Sequence, residues 1–304
     1  MRFFGCAAVA ILLFSPPALA WNEKGHLAIA RLAWLRLSPC QRAACAEILK
    51  SHPHYREYLT ADKPAGISVD EWAFMRAAYW PDWVRSNYSD EYNRPTWHYI
   101  TAAYVPPYSK LKASDLRGQQ PNIVTQIAAC LEKIGSAHDV EEPIHLCWLL
   151  HLVGDIHQPL HCASQLSEAF PQGDQGGNLA IVRLMGGMPV RLHFAWDAML
   201  GEELELAAFL KTVDELQAAE GEPAEAVSAD RQATAADWAR EGFELAKTHV
   251  YLNGDLRPCH VDEQAHGSIP DLSGAYVQNA VSVARRRAAK AAHRLADSLS
   301  KSLR

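Results

Sequence analysis

The sequence predicts a mainly α-helical protein, a single compact domain of many helices with one small β-hairpin. Apolar residues recur at the three- and four-residue spacing of a buried helix face in most segments of the chain. Glycine-rich, strand-like sequence is confined to residues 173–190, and no linker, internal repeat or low-complexity segment divides the rest. We therefore expect one domain over residues 21–304.

Prolines and glycines mark where the predicted elements begin and end. Pro39 and Pro143 stand at helix starts, where no backbone N–H is needed, and Pro159 limits the helix that Pro143 opens. Strand-like runs over residues 179–184 and 189–192 flank the turn Gly186-Gly187 and predict the hairpin. Residues 253–269 are expected to form a loop. The predicted helices cover residues 27–37, 38–50, 69–83, 122–134, 143–156, 202–250 and 272–303.

The last predicted helix, residues 272–303, is long and amphipathic. A run of basic residues at this position is typical of a solvated helix face, and contact with a substrate is the alternative. The basic residues concerned are Arg285, Arg286, Arg287, Lys290 and Arg294.

The first twenty residues have the pattern of a secretory signal peptide. Arg2 precedes a short apolar run over residues 6–14, and Ala18-Leu19-Ala20 forms a small-x-small cleavage site. Cleavage after Ala20 places Trp21 at the new N-terminus. We expect an exported protein, periplasmic or secreted, with no membrane anchor because no apolar run reaches the roughly 20 residues of a spanning helix. A monomer is the default expectation.

Charge and cysteine content narrow the class of protein. The chain carries a formal net charge of −6, so the overall basic character typical of nucleic-acid-binding surfaces is absent, and attraction for a polyanion has to be local. Cleavage after Ala20 removes Cys6, one of seven cysteines, and the even number that remains in an exported chain indicates a three-disulfide framework. Cys40 and Cys45 are near enough to pair, while free buried thiols are the alternative. The cysteines concerned are Cys40, Cys45, Cys130, Cys147, Cys162 and Cys259.

Two short segments carry a repeated pattern of metal-ligand residue types. The stretch 151–161 contains His151, Asp155 and His161, and a second His-x-x-x-Asp unit follows at His193 and Asp197. Residues four apart on a helix share one face, so each unit can offer an imidazole and a carboxylate to one divalent ion. Two such units indicate more than one metal.

Further ligand candidates are scattered through the chain among aromatic residues. They are His26, Asp82 in Trp80-Pro81-Asp82-Trp83, and His98 in Trp97-His98-Tyr99. Each by itself is more typical of a hydrogen-bonded core residue than of a ligand. Together with the two His-x-x-x-Asp units, they supply the additional donors that several zinc ions require.

With these residues in order, the chain resembles the zinc-dependent, single-strand-specific nucleases of the S1/P1 type, which are related to bacterial zinc-dependent phospholipase C. The resemblance extends over the whole region from Trp21 to the closing helix, and it implies three zinc ions per chain. Trp21 would contribute its free α-amino nitrogen and its carbonyl oxygen, so processing after Ala20 would create a metal ligand. The implied ligand sets are Asp82, His98, His151 and a bridging Asp155 for one ion, Trp21, His26 and Asp155 for its neighbour, and His161, His193 and Asp197 for the third.

The resemblance also implies a reaction and a set of substrate contacts. The expected activity is hydrolysis of single-stranded DNA and RNA to 5′-phosphorylated products, with 3′-nucleotidase activity, by attack of a zinc-activated hydroxide on phosphorus. Arg85 would lie near the scissile phosphate, Tyr99 would stack on a base, and Asn178 of Gly176-Gly177-Asn178 would contact base or phosphate. An ordinary surface salt bridge for Arg85 and a core aromatic role for Tyr99 are the alternatives.

Thr101 and His157 differ from the residues that carry the resemblance. Related nucleases carry an Asp, thought to orient or deprotonate the attacking water, where this chain has Thr101, which cannot act as a base near neutral pH. Either the metals alone generate the nucleophile or the rate and base preference differ. His157 lies between implied ligands, but the resemblance assigns it no metal, so we expect it behind the ligands or at the surface.

Two other functions fit part of the pattern. A phospholipase C that releases phospholipid head groups uses nearly the same metals, although it typically has Glu in place of Asp197. A non-catalytic zinc-binding protein is the second alternative. It is disfavoured because His161, His193 and Asp197 are only three protein ligands, and three ligands leave room for water or substrate, as in catalytic zinc sites.

Overall fold

The computed structural model describes residues 21–87, 91–113, 120–135, 140–219, 233–263 and 268–303. The predicted signal segment, residues 1–20, and part of the predicted helical stretch 202–250 lie outside the described residues. The described α-helices are α1 (Glu23–Arg36), α2 (Pro39–Lys50), α3 (Val69–Asn87), α4 (Ile123–Lys133), α5 (Glu142–Asp155), α6 (Leu192–Asp197), α7 (Leu206–Ala218), α8 (Ala235–Leu245) and α9 (Gly274–Ser302). The mainly helical prediction is confirmed.

Local sequence explains where several helices begin. The Asn22 side chain accepts a hydrogen bond from the backbone N–H of Gly25 and so caps α1. Ser38 and Gln41 form a reciprocal capping box at the start of α2, with Pro39 at the first helical position. Asn122 caps α4 in the same way. The predicted starts of α2 and α4 agree with the structure within one residue, whereas α1 begins four residues before its predicted start.

Helix α5 lies at the centre of the molecule. It packs against α3 on one side and α4 on another, while α1 packs against α3 and α9. Every residue of α5 from Leu146 to Asp155 is buried. Because α5 carries the first His-x-x-x-Asp unit, the unit lies inside the core rather than on the surface.

The strands are short and form two small sheets. The predicted hairpin is formed by β3 (Ala180–Leu184) and β4 (Val190–Arg191), which pair antiparallel with Ile181 opposite Arg191. Strand β5 (Cys259–His260) pairs antiparallel with β3, and β6 (Asp271–Leu272) pairs parallel with it. A separate parallel pair consists of β1 (Ala103–Tyr104) and β2 (Ser164–Gln165).

Two expectations about the elements are wrong. The described residues of the predicted loop 253–269 are not all loop, because they include β5, the helical turn Val261–Glu263 and the end of the turn Leu252–Gly254. A two-residue strand has no alternating pattern to detect. The closing helix α9 does not expose all its basic residues either, since Arg287 and Arg294 are only 4% and 3% exposed.

The disulfide framework expected from the sequence is not formed among the described residues. All six cysteines there are free thiols, and five of them are buried. Burial raises the pKa of the Cys45, Cys130 and Cys162 thiols to about 12, which keeps them protonated and unreactive near neutral pH. The alternative of buried free thiols fits the fold. No helix in the described part of the chain is long and apolar enough to cross a membrane.

Candidate metal centre

The C-terminal half of α5 places His151 and Asp155 on one helix face, as their spacing predicts. Nε2 of His151 lies 3.1 Å from Oδ2 of Asp155, and both side chains are fully buried. The other Asp155 oxygen, Oδ1, lies 3.3 Å from Nε2 of His26 on α1. Asp155 therefore connects two groups of ligand-type atoms, one through each oxygen.

Two adjacent clusters share this region. The first cluster consists of Asp82, His98 and His151, and the second consists of His26, His151 and Asp155, with the candidate ligand atoms of each cluster within 4.8 Å of one another. Nδ1 of His98 lies 2.9 Å from Nε2 of His151 and 3.0 Å from Oδ2 of Asp155. The structure thus brings together the scattered residues His26, Asp82 and His98, which the sequence leaves 56 and 16 positions apart.

A backbone carbonyl fixes the direction in which His151 faces. Its Nδ1–H donates to the carbonyl oxygen of Ala78 in α3 at 2.8 Å, so Nε2 carries the free lone pair and faces the clusters. Pro81 lies inside α3. Because proline has no N–H, the helix loses one internal bond at this turn, which also carries the Asp82 carboxylate.

The third cluster consists of His161, His193 and Asp197. Nε2 of His161 lies 3.1 Å from Nε2 of His193, which is 3.6 Å from Oδ2 of Asp197. The Nδ1–H groups donate to backbone carbonyls, that of His161 to His98 and that of His193 to Gly176, each at 2.6 Å. Both Nε2 lone pairs are therefore directed at the same point.

Trp21 links the N-terminal end of the described chain to both ligand-bearing helices. Its indole Nε1–H donates to the carbonyl of Gly154, next to Asp155, at 3.0 Å, and the side chain is fully buried. The following backbone N–H, that of Asn22, donates to the carbonyl of Asp197 at 3.3 Å. The Trp21 backbone is thus anchored beside the second and third clusters.

The shifted pKa values and the unpartnered polar atoms of the clusters favour a bound cation. Burial raises the pKa of Asp82 and of Asp155 to about 6, and burial lowers the pKa of His26 and of His193 to about 4. Both oxygens of Asp82, Oδ1 of Asp155 and both ring nitrogens of His26 lack hydrogen-bond partners. Buried polar atoms in folded proteins nearly always have partners, so these atoms fit metal ligands. Neutral imidazoles and carboxylates are donors that zinc prefers.

A cleft with a volume of about 650 Å³ opens onto His98 of the first cluster and onto His161 and His193 of the third. Arg85, Tyr99, Thr101 and Asn178 all line it, so the structure gathers the four predicted substrate-side residues there. Nη2 of Arg85 lies 3.9 Å from Oδ1 of Asp82, and Tyr99 is 37% exposed. Both side chains can therefore be reached by a ligand in the cleft.

Asn178 lines the cleft and has a buried side-chain oxygen without a protein partner. Its Nδ2 donates to the Gln175 carbonyl at 2.9 Å, which fixes the orientation of the amide, and Oδ1 has no protein partner. The positive φ values of Gly176 (63°) and Gly177 (82°) shape this loop. A Cβ on Gly176 would lie 2.5 Å from the Leu160 carbonyl, so glycine is required there.

Sequence reasoning missed three residues that shape the site. Asp174 is fully buried and accepts from Ser164, Gln165 and the Tyr251 hydroxyl, and so holds the start of the glycine loop. Gln158 is fully buried beside Asp197. Arg191 lines the cleft from β4. In the sequence, Asp174 and Gln158 stand out only as polar residues near candidate ligands. Such residues are too common for this position to identify a functional role.

Fold and site together define a helical protein with a buried His/Asp centre, suited to metal ions, beside an open cleft. The family model for the S1/P1 nuclease matches residues 21–304. The chain belongs to the S1/P1 nuclease family.

Three similar proteins are endonucleases of Arabidopsis thaliana. Endonuclease 4 is 24% identical over 194 residues, which are 61% of this chain and 56% of that protein. Endonuclease 3 is 26% identical over 250 residues, covering 78% of this chain and 77% of the relative. Endonuclease 2 is 26% identical over 204 residues, covering 64% and 61%. The matches to endonucleases 4 and 2 span less than two thirds of those proteins.

Proposed function

We propose that the protein is a zinc-dependent nuclease that cleaves single-stranded DNA and RNA to 5′-phosphorylated products and also removes the 3′-phosphate of nucleotides. The observation that carries this proposal is a set of three buried His/Asp clusters, the first two with unpartnered buried atoms, beside a cleft that Arg85 and Tyr99 line and that reaches the first and third clusters. Membership of the S1/P1 nuclease family and the similarity to three plant endonucleases support it.

Three zinc ions would be held by the residues of the three clusters together with Trp21. When bound, zinc supplies a Lewis acid that lowers the pKa of a coordinated water and neutralises phosphate charge. The donors fit this metal because every histidine in the clusters is neutral near pH 7, since burial lowers the pKa of each imidazole. Metal binding at these imidazoles does not have to compete with protons.

The residues of the cleft would bind and orient the nucleic acid. Arg85 is a cation at the edge of the first cluster and would bind a phosphate oxygen. Tyr99 would stack on a base that is free of its neighbours, which favours single strands because a duplex does not offer such a face. Asn178 lines the cleft and would contact base or phosphate through its side-chain amide.

Thr101 would bind water or substrate without taking a proton. It lines the cleft in the place where a carboxylate is expected from the family pattern. A hydroxyl both donates and accepts hydrogen bonds, but it does not ionise near neutral pH. The chain therefore relies on metal-assisted chemistry, with Thr101 limited to orientation.

Export and processing are part of the same proposal. Cleavage after Ala20 would free the α-amino group of Trp21, which deprotonates with a pKa of about 7.7–8.0 and can then donate to a metal. The anchoring of the Trp21 indole on Gly154 supports this placement of the amino terminus. We propose a monomer that acts in the periplasm or outside the cell.

The decisive experiment uses the processed protein, residues 21–304, with single-stranded DNA and RNA. We expect release of 5′-mononucleotides, loss of that release with a chelator, and recovery on adding zinc. Asp155→Asn should abolish release, whereas Asp255→Asn, at an exposed carboxylate, should not. Zinc-replete protein that leaves both polymers intact but hydrolyses phosphatidylcholine vesicles would overturn the nuclease proposal in favour of a phospholipase C.

A further inference from the structure

Gln158 connects the elements that carry the third cluster. It is fully buried in the turn between the end of α5 and the helical turn Pro159–His161. Its side-chain Nε2 donates to Oδ1 of Asp197 at 2.8 Å, and its Oε1 accepts from the backbone N–H of Leu160 at 2.6 Å. The second bond fixes the orientation of the amide, because only the oxygen can accept from an N–H.

The hydrogen bond from Gln158 makes the surroundings of the two Asp197 carboxylate oxygens different. Oδ1 is engaged by the Gln158 amide. Oδ2 is the oxygen 3.6 Å from Nε2 of His193, which in turn lies 3.1 Å from Nε2 of His161. Oδ2 is therefore the Asp197 oxygen that faces the imidazoles of this cluster, while Oδ1 is held by the Gln158 amide.

The buried arginines of α9 donate hydrogen bonds to the turn that carries Gln158. The Arg294 guanidinium donates to Nε2 of His157 at 2.9 Å, while Nδ1–H of the same imidazole donates to the Val153 carbonyl at 2.7 Å. Arg287 donates to the carbonyls of His157 and Ile156 at 3.2 and 3.4 Å. Gln158 therefore has a fixed backbone from which to hold Asp197.

We propose that Gln158 is a positioning residue that restricts Asp197 to a single-oxygen donor and so keeps room for a phosphate oxygen among His161, His193 and Asp197. The inference rests on the proposed zinc-dependent hydrolysis. Three protein donors leave a zinc ion open to substrate, whereas a carboxylate that binds through both oxygens occupies a further position. Without Gln158, Oδ1 is released and Asp197 becomes a two-oxygen donor.

The test compares Gln158→Met with the wild-type protein, both loaded with zinc. Methionine has a similar length and packs adaptably but cannot donate to Asp197. We expect unchanged zinc content by metal analysis, binding of inorganic phosphate about 10- to 100-fold weaker by calorimetry, and a fall in kcat on single-stranded DNA. Gln158→Leu serves as a second variant should the first fold poorly.

A matched control is Gln165→Leu, because Gln165 is equally buried but its side-chain amide donates to the Tyr108 hydroxyl and not to a cluster residue. A purely structural effect would lower thermal stability in both variants and leave phosphate binding unchanged. Wild-type phosphate affinity in zinc-loaded Gln158→Met, or the loss of one zinc from it, would overturn the proposal. Metal content and phosphate binding are both measured without turnover, so they test the role of Gln158 independently of nuclease activity. The nuclease proposal fails separately if the wild-type protein releases no mononucleotides.

Discussion

Glu241 on α8 is the carboxylate that compensates the two buried arginines of α9, and its replacement by glutamine tests how much this network stabilises the fold. It accepts from Nη1 of Arg287 at 2.6 Å and from Arg294 at 2.7 and 2.9 Å. Partial burial raises the pKa of Glu241, but the hydrogen bond from Arg294 and the charges of both guanidiniums outweigh it and hold the pKa at about 2. Glu241→Gln removes this interaction and leaves two buried cations.

The expected loss of stability follows from that pKa. A fall from 4.5 to about 2 corresponds to roughly 3 kcal/mol. The Glu241 side chain is 33% exposed, so solvent screening reduces this to about 2 kcal/mol, and uncompensated buried charge adds to the loss. We expect Glu241→Gln to lower the unfolding free energy at pH 7 by about 2–4 kcal/mol, or Tm by roughly 5–12 °C.

The pH dependence of this difference gives the sharper test. Because the folded pKa lies below the unfolded one, the stabilisation is present above about pH 4.5 and is lost as the pH falls towards 2. At pH 3.5 about three fifths of it remains. Urea unfolding of both proteins at several pH values, with equal zinc, measures the difference directly.

The control is Glu244→Gln on the same helix. Glu244 is 56% exposed and pairs with Lys247 at 3.5 Å, so its replacement should cost less than about 0.5 kcal/mol. Two results would contradict this account of Glu241. One is an equal loss of unfolding free energy in the two variants, and the other is a loss in Glu241→Gln that stays the same as the pH falls.

Three further predictions concern the metal centre and the cleft. Protein carrying one extra methionine before Trp21 should lose one zinc and most activity, because the donor nitrogen becomes an amide; metal analysis with full occupancy would contradict this. Chelation at pH 7 should lower Tm by roughly 10 °C, since an ion at a free concentration 1,000-fold above its Kd stabilises by about 4 kcal/mol; an unchanged melting curve after complete zinc removal would exclude a stabilising ion. Tyr99→Ala should raise KM for single-stranded DNA about 5- to 150-fold through lost base stacking of about 1–3 kcal/mol, whereas Tyr99→Phe should not; equal KM values for both variants would rule out stacking.

The sequence predicted most of the helices because their signals are local. Capping residues and prolines lie next to the positions they fix, so the starts of α1, α2, α4 and α5 could be placed within a few residues. The hairpin of β3 and β4 was found for the same reason. Strands β5 and β6 were missed because each has two residues and depends on β3, which is distant in the chain.

The candidate site likewise has a part that local sequence predicts and a part that depends on tertiary packing. His151 with Asp155 and His193 with Asp197 are pairs four residues apart, so their proximity follows from helix geometry alone. The association of His26, Asp82 and His98 with them was inferred from a family resemblance, and no spacing in the chain requires it. Packing of α1 and α3 against α5 brings these residues together.

Some features were decided by the tertiary structure against the sequence pattern. Arg287 and Arg294 look like part of a solvated basic face, but the α8 carboxylate Glu241 and the carbonyls behind Asp155 bury them. Six cysteines in a processed chain expected to be exported indicated disulfides, yet all six are free thiols and five of them are buried. The sequence by itself determined the local elements and the paired ligands, since those depend on neighbours within a few residues. Only the folded chain decided which distant donors meet, which charges are buried and which Asp197 oxygen stays free, because these depend on contacts between segments that the sequence separates.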